Sequence, residues 1–186
     1  GLVGSEMCIR DSSLTEDDVP ALKQALAIMT DCKAFVLENC GLDNDTMASI
    51  RAEYPRTELV WKIQFGKYSA WTNTDTIRAV YNVFDDTCGN LKYCWKTKYM
   101  DIGHNETLTD LSFVGYMPDL EILIASGCAV KQLPEGIGNC KKLEFLELAY
   151  CYKLESVDPL AGCEGLKNLN ICYSKVSDLK ALDGLP

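Results

Sequence analysis

The chain reads Thr97-x-x-Met100-x-Ile102-x-x-Asn105, Leu120-x-x-Leu123-x-Ala125-x-x-Cys128, Leu143-x-x-Leu146-x-Leu148-x-x-Cys151 and Leu166-x-x-Leu169-x-Ile171-x-x-Ser174. Every column recurs at 23 residues, so four coils share one register over residues 97–186. The inner two apolar positions of each coil alternate with their neighbours as a short, half-buried strand does. Met100 and Ile102, Leu123 and Ala125, Leu146 and Leu148, and Leu169 and Ile171 are therefore expected to stack inward. Asn105, Cys128, Cys151 and Ser174 end the strands, where a small or amide side chain can bond to an adjacent coil. One such coil cannot bury its face alone. Stacked coils make one core and one parallel sheet, which defines an α/β solenoid.

Outside this stretch the pattern loosens. Residues 1–12, GLVGSEMCIRDS, show no convincing period and resemble the translated sequencing-adapter peptide that contaminates metagenomic assemblies. They are expected to be an artefactual tail outside the fold. Residues 13–65 hold a helix over ALKQALAIM and divergent repeat-like coils. Cys32-x-x-Phe35-x-Leu37-x-x-Cys40 matches the skeleton, Asp43-Asn44-Asp45 caps a helix over TMASIRAEY, and LVWKIQF alternates as a strand. Residues 66–96 are expected to be an insertion: a hairpin through Gly66-Lys67, then a helix capped at Thr72-Asn73-Thr74-Asp75 and carrying Ile77, Val80, Tyr81 and Phe84. Residues 97–186 form four regular repeats and stop partway through a coil, so the chain reads as truncated at both ends.

Composition narrows the function. The 186 residues are 47% hydrophobic and carry a net charge of -9, enough apolar material for a core and the wrong sign for binding nucleic acid. No run reaches the roughly 18 to 20 apolar residues that span a bilayer. Seven of the ten cysteines fall in repeat columns: Cys40, Cys128 and Cys151 in one, Cys94, Cys140 and Cys163 in another, and Cys32 at a repeat start. They read as small buried side chains with free thiols, although adjacent coils would bring Cys128 and Cys151 within disulfide reach. With His104 as the lone histidine, no paired zinc motif and no glycine-rich phosphate loop, no catalytic residue, metal site or cofactor is expected.

The segments DTMASIRAEYP, LVWKIQFGKYS, LKYCWKTKYMDIGHN, LSFVGYMPDLEIL, NCKKLEFLEL and DPLAGCEGLKNLNI resemble bacterial leucine-rich-repeat proteins, many of them exported or displayed on the cell surface. The resemblance covers residues 43–186. It implies a right-handed solenoid with a parallel β-sheet on the concave face and short helices or turns on the convex face. It also implies a bacterial surface or secreted location, the cytoplasm being the alternative. One departure is Gln132-Leu133-Pro134-Glu135-Gly136-Ile137-Gly138, a longer Leu-Pro form among coils such as Ser177-Asp178-Leu179.

Such a scaffold suits a non-enzymatic binding module for a protein or glycan; the alternative is a structural spacer in a larger surface protein. The outward strand positions nominate the ligand surface: Tyr99, Asp101 and His104, then Ile122, Ile124 and Ser126, then Phe145, Glu147 and Tyr150, then Asn168, Asn170 and Tyr173. Aromatic side chains beside acids and amides suit a partner surface. The negative charge favours a basic or neutral partner.

Overall fold

The computed structural model describes residues 6–185, and the chain divides into two units, Gly1–Ile63 and Gln64–Pro186. In the first unit, helix α1 (Val19–Ile28) buries Leu22 and Leu26 and leads to strand β2 (Ala34–Glu38). Helix α2 (Asn44–Glu53) follows, capped as its sequence requires: Asp43 accepts a 2.8 Å hydrogen bond from the Thr46 amide. Strand β3 (Glu58–Phe65) pairs parallel with β2, Phe35 lying opposite Leu59. Trp61 is fully buried there, and its indole N–H donates to Asn44 Oδ1 at 3.0 Å. The Asn44 side chain therefore serves the core.

The N-terminal segment departs from the expectation of a tail outside the fold. Residues 1–5 lie outside the described residues, but Glu6–Arg10 forms strand β1, parallel to β2 with Glu6 opposite Ala34. The open edge of β2 offers unpaired backbone groups, and the β-prone run Met7-Cys8-Ile9 takes them up. Only Ile9 of β1 is even half-buried, so the strand adds ladder hydrogen bonds and little core.

The second unit is a leucine-rich-repeat solenoid. After β3 turns at Gly66-Lys67, β4 (Tyr68–Trp71) is followed by five parallel strands: β5 (Thr76–Arg78), β6 (Tyr99–Asp101), β7 (Ile122–Ile124), β8 (Phe145–Glu147) and β9 (Asn168–Asn170). Their pairing places Thr76, Tyr99, Ile122, Phe145 and Asn168 in one row, 23 residues apart at each step. Met100, Leu123, Leu146, Ile102, Ala125 and Leu148 are all fully buried beneath the sheet.

The array starts one coil earlier than the sequence pattern suggested. The helix expected after Thr72-Asn73-Thr74-Asp75 is absent; Thr76–Arg78 is a strand in the register of β6. Ile77 and Ala79 fill the inward columns at 3% and 0% exposure, while the Thr74 hydroxyl donates to the Thr76 carbonyl instead of capping a helix. Burial in a stacked coil outweighs the local capping signal. Only a short helix, α3 (Asp85–Cys88), follows β5.

On the opposite side each coil closes with a 3-10 turn: Gly89–Tyr93, Ser112–Tyr116, Glu135–Asn139, Asp158–Gly162 and Lys180–Leu182. The Leu-Pro coil keeps the same turn as its neighbours. A Cβ added at Gly162 would lie 2.7 Å from Gly138 Cα, so these turns touch backbone to backbone.

Buried polar side chains tie successive coils together. Asn105 accepts from the Val83 amide at 2.8 Å and donates to the Ala79 and Ile102 carbonyls at 3.0 and 2.7 Å. In the same column the Cys128 thiol donates to the Ile102 carbonyl at 3.4 Å, and Cys151 to that of Ala125 at 3.3 Å. The second cysteine column behaves alike: Cys140 reaches the Val114 carbonyl and Cys163 that of Ile137, both at 3.3 Å. All ten cysteines are free thiols. Burial pushes the thiols of Cys128 and Cys140 up to about 12 and that of Cys163 to about 11, so they keep the proton they donate. Ser174 differs from the expectation, because its hydroxyl accepts from the Val176 amide in its own turn instead of bonding to another coil.

Two positions expected in the core, Leu169 and Ile171, are only half-buried. Both belong to the β9 coil, which among the described residues has a neighbouring strand on the β8 side alone. This difference predicts an asymmetry. Leu146→Ala should cost about 2 to 5 kcal/mol in urea unfolding, as truncation in a closed core does, and Leu169→Ala less than half as much. Equal losses would mean that the two side chains occupy equivalent environments, against the register described here.

Candidate concave face and strand-end ladder

Two surface rows follow from the pairing of the strands. The first runs Tyr99, Ile122, Phe145 and Asn168; the second runs Asp101, Ile124, Glu147 and Asn170. Tyr99, Ile122, Ile124 and Phe145 are half-buried by their row neighbours, and Asn168 is exposed. Arg78 extends the second row and stands over the Tyr99 ring, 4.9 Å from its centroid.

The polar members of the second row are partly occupied by the fold. Asp101 Oδ1 accepts from the Gly103 amide at 3.1 Å and Asn170 Oδ1 from the Cys172 amide at 3.1 Å, closing the turns that end their strands. Ser126, nominated as an outward residue, is buried at 6% exposure and donates its hydroxyl to Glu147 at 2.8 Å. A polar side chain just past a strand end can be drawn to a carboxylate on the next coil, and the spacing alone does not reveal this. Asp101, Glu147 and Asn170 thus lie on the proposed face as positioned groups, each with one oxygen already engaged.

Beyond the strands runs a second feature, which the sequence reading touched only through His104, Tyr150 and Tyr173. Tyr81, His104, Gly127, Tyr150 and Tyr173 recur at 23 residues, and all five hold positive φ, between 57° and 72°. Non-glycine residues avoid this region at a cost of roughly 1 to 2 kcal/mol each. Backbone bonds to the next coil hold them there: the amides of Tyr81, His104, Gly127 and Tyr150 donate to the carbonyls of Gly103, Ser126, Ala149 and Cys172 at 3.4, 2.7, 2.8 and 2.8 Å. The turn also aims the following residue, Asn105, Cys128 or Cys151, into the buried ladder.

Their side chains form an aromatic row. Tyr81 stacks on His104 at 5.5 Å between ring centroids, and Tyr150 on Tyr173 at 4.8 Å with planes only 10° apart. Tyr152 meets Tyr150 edge-on at 6.2 Å. Tyr81, Tyr150, Tyr152 and Tyr173 are 48 to 65% exposed, so most of the large exposed aromatic surface of this unit gathers along one edge. Between the two stacked pairs Gly127 carries no ring, and a cavity of about 400 Å³ opens there, lined by His104, Glu106, Gly127, Tyr150, Tyr152 and Lys153. Lys153, which lies beyond the strands, is part of this cavity. The positive-φ column was visible as a 23-residue recurrence of Tyr, His, Gly, Tyr and Tyr, but the helix expected over residue 81 concealed its first member.

Among solved structures, the chain is similar to an internalin of Listeria monocytogenes, with a TM-score of 0.56 and 19% identity over 86% of this chain and 40% of that one. That likeness establishes the fold. Among curated sequences it is similar to two probable disease resistance proteins of Arabidopsis thaliana, 32% identical over 87 residues and 30% over 111. These alignments take in 46% and 58% of this chain, which spans only 11% and 13% of the lengths of those relatives. No protein-family model matches the chain. No helix among the described residues is long and apolar enough to cross a membrane.

The strand-end geometry yields a stability test. Both Tyr150→Ala and Tyr150→Gly lose the stack on Tyr173, but only glycine relieves the positive φ. Tyr150→Gly should therefore be more stable than Tyr150→Ala by about 1 kcal/mol in chemical denaturation. A glycine variant no better than alanine would show that the backbone at residue 150 is not left-handed.

Proposed function

We propose that the second unit is a non-enzymatic binding module that recognises a protein on its concave sheet and the adjoining strand-end edge. The observation that carries this reading is the aromatic ladder. Four tyrosines about half or more exposed lie along one edge, beside the half-buried row of Tyr99, Ile122 and Phe145. Solvation alone does not require this arrangement, and tyrosines fixed by stacking bind with little loss of side-chain freedom. Asp101 and Glu147 within the rows, and a net charge of -9, favour a basic or neutral partner.

Two settings suit such a module. The motif resemblance supports export to a bacterial surface, whereas two buried cysteine columns whose thiols donate to carbonyls of other coils suit the alternative of a reducing cytoplasm. Counting thiols in unfolded, non-reduced protein taken from its native host separates them. A disulfide between Cys128 and Cys151 would indicate an oxidising compartment, and ten free thiols a reducing one.

The binding reading is tested by placing a photo-crosslinking amino acid at position 145 on the sheet or at exposed position 161 on the opposite turns. A discrete protein adduct is expected from position 145 alone. Against the partner so identified, Phe145→Ala and Tyr150→Ala should each weaken affinity by more than about 1 kcal/mol, and Lys175→Ala should not. Equal adducts from both positions, or full affinity in both alanine variants, would remove the concave face and favour a spacer role.

A further inference from the structure

Gly127 interrupts a row of rings that every other coil of this solenoid supplies. Its backbone is that of its neighbours: φ is 72° against 57° at His104 and 61° at Tyr150, and its amide donates to the next coil as theirs do. Glycine is not required for space, because an added Cβ would meet nothing closer than His104 Nδ1 at 3.5 Å, an ordinary contact. Nor is it required by backbone conformation, since tyrosine and histidine hold the same turn elsewhere in the column. Its effect is to leave a slot between the rings of His104 and Tyr150.

Strand spacing sets the room in the slot at about one ring. His104 and Tyr150 lie two coils apart, about 9.6 Å at the spacing of adjacent strands. The filled steps of the row stack at 4.8 and 5.5 Å. One inserted ring would therefore lie about 4.8 Å from each wall, within the range preferred by stacked aromatic pairs. The rim is polar, with Glu106 on the His104 side and Lys153 on the Tyr150 side. Neither makes an ion pair among the described residues. By contrast, Lys98, Lys131, Lys141, Lys142 and Lys167 each bridge to an acid on an adjacent coil. Opposite charges flanking a ring-sized slot suit a residue in a polypeptide, whose amide groups and neighbouring side chains can meet both.

We propose that the Gly127 slot is a specificity pocket for one aromatic side chain of the partner protein, inserted between His104 and Tyr150 to complete the ladder. This inference rests on the binding module described above and names what one part of it recognises.

The test uses three blocked amino acids as probes of the full chain: N-acetyl-tryptophanamide, N-acetyl-tyrosinamide and N-acetyl-leucinamide. Their binding is followed by the concentration-dependent shifts of the residue 127 and His104 amide resonances, which report occupancy by any probe, and is checked by saturation transfer from the protein to each probe. The aromatic probes should give saturable shifts at both amides, and the leucine probe none. Gly127→Tyr fills the slot with a ring on a backbone that Tyr150 already tolerates, and should weaken aromatic-probe binding about tenfold or more. Gly127→Ala, which leaves the slot open, should bind as the natural chain does. Lys175→Ala, exposed and outside both the slot and the surface rows, should also leave probe binding unchanged. The probes read the slot alone and the adduct at position 145 reads the sheet, which separates failure of the slot from failure of the wider face. Equal response to the leucine probe, no response to any probe, or undiminished binding by folded Gly127→Tyr would overturn the proposal.

Discussion

The parallel hydrogen-bonded ladder between coils, repeated at 23 residues, is the constraint on which the second unit depends. A three-residue strand has almost no stability alone, because ordering its backbone costs more than its few bonds return. Five such strands in one register become cooperative: each coil covers the apolar layer of the next and supplies its missing backbone partners. Residues 77, 100, 123 and 146 then share one buried column, and residues 76, 99, 122 and 145 one surface row. Core and binding face are two sides of the same periodicity.

The register also governs the turns. Where each strand ends, the chain must reverse without leaving buried carbonyls unpaired, and the left-handed residue at positions 81, 104, 127, 150 and 173 achieves this. At 104, 127 and 150 it sends the next side chain inward, where Asn105, Cys128 and Cys151 bond to carbonyls of the coil before. A thiol is a weaker donor than an amide, but it brings less polar surface into the core. The same turn points residues 81, 104, 150 and 173 outward, so the exposed aromatic ladder results from how buried polar groups are satisfied. Gly127 keeps the turn and gives up the ring.

Much of this was legible in the sequence because one signal recurred without interruption. From Thr97 to Leu166 the columns sufficed to place the inward residues and the surface rows. The 3-10 turns fell between them, as the fold family implied. Legibility failed where local and long-range signals conflicted. Thr72 to Asp75 resembles a helix cap, and only pairing with a strand 23 residues later makes residues 76–78 a strand. Ser126 looked like surface until the Glu147 carboxylate drew it in, and Ser174 looked like a ladder residue although its bond stays within its own turn. The side chains of Leu169 and Ile171 match the repeat, but burial depends on neighbouring coils and cannot be read from one coil.

The register itself is open to one direct measurement: nuclear Overhauser contacts between side chains of the surface row in isotopically labelled protein. The structure requires a continuous series linking Tyr99 to Ile122 and Ile122 to Phe145, with Leu123 and Leu146 joined in a separate buried series. Because side chains alternate across a strand, a slip of one residue would exchange the two faces. Contacts from Phe145 to Leu123 in place of Ile122 would contradict the register, and with it the concave face and the ladder beside it.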